Sequence, residues 1–277
     1  MKISGFFAAL ALALCFTNHC YCQQISLNNL PFTADIRCVY RFTYQSDSLN
    51  KMSVVSETAF LFINKQESEY TTRKNLQMDS AQRVVLARMR LNQGGRLSVA
   101  GMPVTSINYR IYKNYECKSI TTIETIDIQR FRYTEPESVL AWRILPERQA
   151  VAGYACQKAQ VAYAGRNYEA WFTNELPISD GPYKFSGLPG LIVRLADTKA
   201  HYSFDLVAVQ KLATPMTVPG FMGNVQETTR ARFRQAGQDY RANPFAAMES
   251  EGMVVTEEDR SRHRDKLKRR NNPLELR

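Results

Sequence analysis

Glu169, Glu175, Asp180, Asp197 and His201 fall within one short stretch of this chain. Carboxylates within hydrogen-bond reach of an imidazole can do general acid–base work. A hydrolase built on the Asp180, Asp197 and His201 neighbourhood is therefore one reading. The other is structural, because β-hairpins carry such residues routinely. The chain has no GxSxG elbow, no HExxH pair and no SxxK with its companion motifs. A Cys–His nucleophile would require the fold to bring Cys156 to His201. His263 lies in a charged stretch and reads as solvated. No cluster has metal-ligand spacing, and no cofactor is expected.

The same stretch holds an unusual run of backbone-active residues. Asp180-Gly181-Pro182 is turn chemistry: Asp bonds its own backbone, Gly permits positive φ, and Pro presets the next φ. Then come Tyr183, Phe185 and Gly187-Leu188-Pro189-Gly190-Leu191-Ile192. Pro189 lacks an N–H donor, so it belongs at a strand edge or before a strand begins. The bland reading is a corner that drops a hairpin into the core. The sharper one leaves room beside Gly187 and Gly190 for a ligand or partner backbone, walled by Trp171, Phe172, Tyr183 and Phe185. The run argues against a phosphate cradle, because no Lys-Ser/Thr follows and it opens a strand.

The elements around this segment are mostly strands. Ile36, Cys38, Tyr40, Phe42 and Tyr44 share one parity, with Arg37 and Arg41 on the other, which describes a half-buried strand. Residues 54–63 and 68–73 read as further strands. Asp79 to Leu91 breaks the alternation and reads as a helix capped by Asp79 or Ser80 and ended by Gly94-Gly95. Strands resume at Val104 and continue as an antiparallel meander, with a tight turn at Gly165-Arg166-Asn167. LIVRLAD and HYSFDLVAVQKL close the β region. Beyond Leu212, Pro215, Pro219, Gly220 and Gly223 suggest a loop. Charged stretches near 226–241 and 256–270 read as exposed helices, and NNPLELR as an extended end. The fold expected is mainly β: a curved antiparallel sheet or partly open barrel, with one or two helices and a charged helical C-terminal region.

The first residues indicate a compartment. Lys2 precedes an apolar run from Phe6 to Phe16, followed by polar residues and Cys20-Tyr21-Cys22. That pattern predicts a secretory signal peptide over 1–22, a β domain over 23–212, and a charged tail over 213–277. No stretch has the roughly 20 apolar residues that a spanning helix needs. The formal charge of +10 is concentrated near the C-terminus, at Arg230, Arg232, Arg234, Arg241 and from Arg260 to Arg270. In an exported chain this argues against nucleic acid and for solvated helix faces, with peripheral contact to a phosphate-rich membrane or an acidic partner as the second reading. Of six cysteines, Cys38 alternates with core residues. Cys117 and Cys156 sit in similar settings and are compatible with a disulfide.

Gly153 to Asp197, with the hexapeptide GLPGLI preceded by DGPYKF, resembles the signature of the GLPGLI family. ETAFLFINKQESEYTTR and KLKRRNNPLEL resemble it more faintly. The resemblance implies an exported protein of a Gram-negative envelope with β-rich architecture, encoded near TonB-dependent outer-membrane receptors. The strand pattern is also similar to the half-barrels of periplasmic lipoprotein carriers, a fold-level analogy only. The expectation is a non-enzymatic binding or accessory module of the periplasm or outer-membrane periphery. Its partner would be an outer-membrane receptor, another envelope protein, or an apolar or peptide ligand. The hydrolase reading remains the alternative.

Overall fold

The computed structural model describes residues 31–90, 107–137, 140–221 and 223–276. Residues 1–22, Gly94-Gly95 and the start of the strand expected from Val104 lie outside them. Twelve strands form one open sheet in the order β12-β6-β5-β4-β3-β2-β1-β11-β10-β9-β8-β7. In chain order they are β1 (Phe32–Gln45), β2 (Val54–Ile63), β3 (Glu67–Thr72), β4 (Tyr109–Asn114), β5 (Ser119–Ile126) and β6 (Gln129–Pro136). There follow β7 (Arg143–Val151), β8 (Tyr154–Tyr163), β9 (Arg166–Thr173), β10 (Leu191–Asp197), β11 (Tyr202–Val218) and β12 (Gln226–Glu227). Neighbours are antiparallel except β12, which runs parallel to β6. The fold class is thus mainly β, as the alternation predicts.

The two-residue side-chain period puts Cys38, Tyr40, Phe42 and Tyr44 of β1 on one face, where they join the main core. In a flat sheet β4 and β9, six steps apart, would stand about 29 Å from each other. Yet Tyr109 of β4 meets Tyr183 at 5.2 Å between ring centroids, and Tyr168 of β9 meets Phe185 at 4.7 Å. The sheet therefore curls around the segment between β9 and β10, and that segment fills its concave side.

Four helices complete the described chain: α1 (Arg73–Arg90), α2 (Arg230–Ala242), α3 (Ala246–Ser250) and α4 (Glu257–Lys268). Helix α1 starts six residues before the expected cap. Thr72 fills that role, its hydroxyl accepting from the Asn75 N–H at 3.2 Å. Asp79 is instead buried within the helix, its carboxylate bound to Arg110, which also meets Glu69 at 2.8 Å. Leu76 of α1 packs with Phe60, Phe62, Phe32 and Val218 in a second, smaller cluster.

The expected loop after Leu212 is a continuation of β11 to Val218. The pairing with β1 jumps from Ile36↔Lys211 to Ala34↔Met216, and this bulge accommodates Pro215, which cannot donate to a ladder. Helices α2, α3 and α4 contain no buried residue. His263 is not simply solvated: its ring lies edge-on to Tyr240 and Phe245, at 5.7 and 5.5 Å.

Candidate functional site

The segment from Leu176 to Leu191 owes its shape to local hydrogen bonds. Asp180 bridges to Ser186 across a tight turn, the Phe185 N–H donates to the Pro182 carbonyl, and the Ile192 N–H donates to the Asp180 carbonyl. Tyr183 takes φ 55°, a left-handed conformation unusual for a bulky residue. This turns its ring inward beside Phe185.

One buried lysine fastens the turn to the far side of the sheet. Lys113 of β4 is ion-paired with Asp180. It also donates to the carbonyls of Gly181 at 2.7 Å and Phe185 at 3.3 Å. Its three N–H donors therefore have three acceptors. The other Asp180 oxygen accepts from Tyr115 Oη at 2.7 Å. Both charged side chains are 1% exposed, a placement tolerable only because each is paired and hydrogen-bonded.

The GLPGLI run itself is largely interior. Gly181, Pro182, Leu188, Gly190, Leu191 and Ile192 are buried, while Gly187 and Pro189 are exposed. Of the four expected wall residues, Phe172, Tyr183 and Phe185 are packed in the core. Trp171 is partly buried and packs at the edge of the same core, with Lys158 6.0 Å from its ring centroid. The aromatic residues are therefore core around the motif and do not line an open wall beside it.

A second set of polar contacts gathers at the end of the chain. Residues 271–276 return from α4 and lie across the curled sheet as a strap. Arg166 donates to Asn272 Oδ1 and the Pro273 carbonyl, both at 2.6 Å, and to the Leu274 carbonyl at 3.0 Å. Asn272 donates to the Gln45 carbonyl at 2.7 Å and its own carbonyl accepts from the Tyr202 hydroxyl. Leu274 enters the core. Glu275 accepts from Tyr183 at 2.6 Å and Tyr163 at 3.0 Å, and pairs with Lys184 at 3.0 Å and Arg230 at 2.7 Å. Burial opposes the Glu275 charge, but Lys184, the Tyr183 hydrogen bond and Arg230 together bring its carboxyl down to about 2. Burial likewise disfavours the Lys184 ammonium, yet Glu275 and its other neighbours raise it above the ordinary lysine value.

The candidate acids and bases are distributed among these contacts. Glu169 pairs with Lys158 at 3.0 Å, and Glu175 accepts the Ala155 N–H at 2.7 Å. Asp197 accepts from Arg166 at 3.2 Å and from the Tyr202 N–H at 2.7 Å. His201 Nδ1 lies 3.5 Å from the Arg166 guanidinium. Arg166 thus joins Asp197 to His201, while Asp180 belongs to the separate Lys113 cluster.

The expected Cys117–Cys156 bridge is not formed. Cys156 is a free, buried thiol whose sulfur lies 3.9 Å from the Val151 carbonyl. The sheet order explains the correction: Cys117 follows β4 and Cys156 lies on β8, seven strands away. Adjacency in the sheet, rather than similar local sequence, sets the reach of a disulfide.

The residues that sequence reasoning missed are Lys113, Arg166, Lys184, Arg230 and Glu275. Lys184 carried a signal, since it stands between Tyr183 and Phe185 in a run otherwise suited to burial. Among the described residues no group of three or more His, Cys, Asp and Glu could hold a metal ion. No described helix is long and apolar enough to cross a membrane.

These features define a β protein whose concave face is filled by its own turn-and-strand segment and closed by its tail. A family model described as "Protein of unknown function (Porph_ging)" matches residues 106–194, a span that includes both Lys113 and Asp180. No curated protein matches the chain. Among solved structures it is similar to PNGF-II, with 11% identity, a TM-score of 0.52, and coverage of 74% of this chain and 33% of that one. A structure of PNGF-II in another space group gives 10% identity, a TM-score of 0.49 and the same coverage. The chain spans about a third of the length of PNGF-II, and the likeness at this identity concerns the fold.

Proposed function

We propose that this chain is a non-enzymatic binding or accessory module of the GLPGLI type, exported to the cell envelope and associated with outer-membrane transport. The observation that carries the non-enzymatic part is the commitment of the acids around the motif. Asp180 is held by Lys113 and Tyr115, and Asp197 by Arg166 and the Tyr202 amide. A general base needs a lone pair within reach of a substrate proton, and these carboxylates spend theirs on the fold. Export and the envelope setting rest on the apolar run Phe6 to Phe16 and on the GLPGLI resemblance.

The test is affinity purification of the tagged chain from envelope fractions, with His201→Ala alongside wild type. The expected result is one envelope component retained equally by both. Retention of nothing by wild type, together with an ester- or amide-cleaving activity that His201→Ala abolishes, would replace this reading with the hydrolase.

A further inference from the structure

The strap occupies its groove as a bound peptide would. Arg166 and Tyr202 read the carbonyls of Asn272, Pro273 and Leu274, which any extended chain can present. Glu275 supplies the carboxylate, and Leu274 the one apolar anchor. The helices that carry the strap bury no residue of their own, and α2 is held to the sheet through Phe233 against Phe131 and Tyr133, so the strap itself is seated by the contacts just named.

We propose that this groove is a recognition site for an extended acidic segment of a partner protein, with residues 271–276 as its resident occupant. Charge complementarity selects the acid. Without Glu275, Lys184 and Arg230 still meet Glu135, at 3.3 and 3.0 Å, and Glu124 stands near Lys184, but Lys184, 2% exposed, loses its nearer ion-pair partner at 3.0 Å. A buried ammonium left short of a counter-charge is costly, so the strap is exchanged for another carboxylate and the groove is not left empty. The Tyr109 hydroxyl, on a ring packed edge-on against Tyr183, is buried with no hydrogen-bond partner among the described residues.

The same groove has room for more than the strap's own acid. Where the Leu276 N–H donates to the Ala164 carbonyl at 2.8 Å, it opens into a depression of about 630 Å³ lined by Arg230 and Arg234. A segment with a second acid past the Leu276 position gains Arg234. That gain is needed, because a tethered occupant competes at an effective concentration of order millimolar.

The inference names a partner chemistry for the binding module proposed above. Peptide binding by a chain that proves not to be exported would preserve the groove and remove only the compartment. The experiment inserts a specific protease site after Arg270 in the full chain, which is folded first and then cut. Labelled NNPLEL and the extended NNPLELDE, both amidated at the C-terminus so that only side chains supply acids, are then titrated by fluorescence anisotropy.

The cut chain should stay folded and bind NNPLEL, and replacing the peptide's glutamate with glutamine should weaken binding at least tenfold. NNPLELDE should bind more tightly than NNPLEL, and Arg234→Glu should remove that advantage while sparing the shorter peptide. A folded, cut chain that ignores both peptides overturns the proposal, as does one indifferent to the glutamate. Loss of the fold on cutting would make the strap core and also overturn it. An uncut chain that dimerises and is dispersed by the peptide would make the occupant a second copy, against the partner proposed here.

Discussion

A Cβ placed on Gly190 would stand 2.0 Å from the Thr173 carbonyl oxygen. Thr173 ends β9 and pairs with Leu191 at the start of β10, so the obstacle is backbone held in a ladder and it cannot step aside. Gly187 differs: its φ is +89°, but a Cβ there would approach nothing nearer than 3.9 Å. Gly190→Ala should therefore cost about 3 kcal/mol or more, as backbone overpacking does. Gly187→Ala should cost about 1–2 kcal/mol, the strain of a left-handed L-residue. Urea denaturation of both variants checks the order, and a Gly190→Ala variant as stable as wild type would refute the close approach.

Lys113 and Asp180 should behave as a coupled unit. Lys113→Met leaves a buried carboxylate facing Tyr115 without its counter-charge and should destabilise by about 3–5 kcal/mol. The double variant Lys113→Met, Asp180→Asn removes both charges and should recover part of that loss. A double-mutant cycle by chemical denaturation measures the coupling. Additive losses would show that the two residues do not support each other.

Glu275 makes stability depend on acid. Its carboxyl is depressed from 4.5 to about 2 in the folded chain. A depressed acid contributes stability above its unfolded pKa and loses it as pH falls through the folded value. Wild type should thus lose about 3 kcal/mol between pH 4.5 and pH 2 through this group. Glu275→Gln should be less stable at pH 7 and show a flatter profile in that window when unfolding is followed by circular dichroism across pH.

Glu124 acts in the opposite sense. Burial raises its carboxyl to about 7, with Lys184 drawing it down and Glu275 pushing it up. A raised acid binds its proton more tightly when folded, so stability falls as pH rises from 4.5 through 7. Glu124→Gln should stabilise the chain by about 2 kcal/mol at pH 8 and change it little at pH 4. Equal gains at both pH values would show that the effect is not ionisation.

The two free thiols should be inert in the native chain. Burial, with Asp180 adding to it, pushes the Cys38 thiol up to about 12, and Cys156 is 2% exposed. Thiolate is the reactive form. A thiol reagent should therefore label both only after denaturation, read by mass spectrometry of the labelled peptides, and rapid labelling of Cys156 in the native chain would show its thiol to be accessible.

The local contribution of the sequence is clear at β1. A single parity of Ile36, Cys38, Tyr40, Phe42 and Tyr44 both makes the strand and selects its buried face, because successive side chains point to opposite sides. Asp180-Gly181-Pro182 and the glycines after it likewise determined a turn feeding an apolar strand, since φ preferences act within a few residues. Pro215 misled, because its tolerance in β11 depends on a bulge against β1, about 180 residues earlier in the chain.

Tertiary structure alone decided what the turn and the tail lie against. Lys113 and Asp180 are separated by 67 residues, and Arg166 and Asn272 by 106. No periodicity encodes such pairs, because a lysine at an inward strand position looks like any other lysine until the sheet curls. Curvature brings β4 to the segment after β9, excludes water from both charges, and so turns ordinary polar residues into the fastening of the fold.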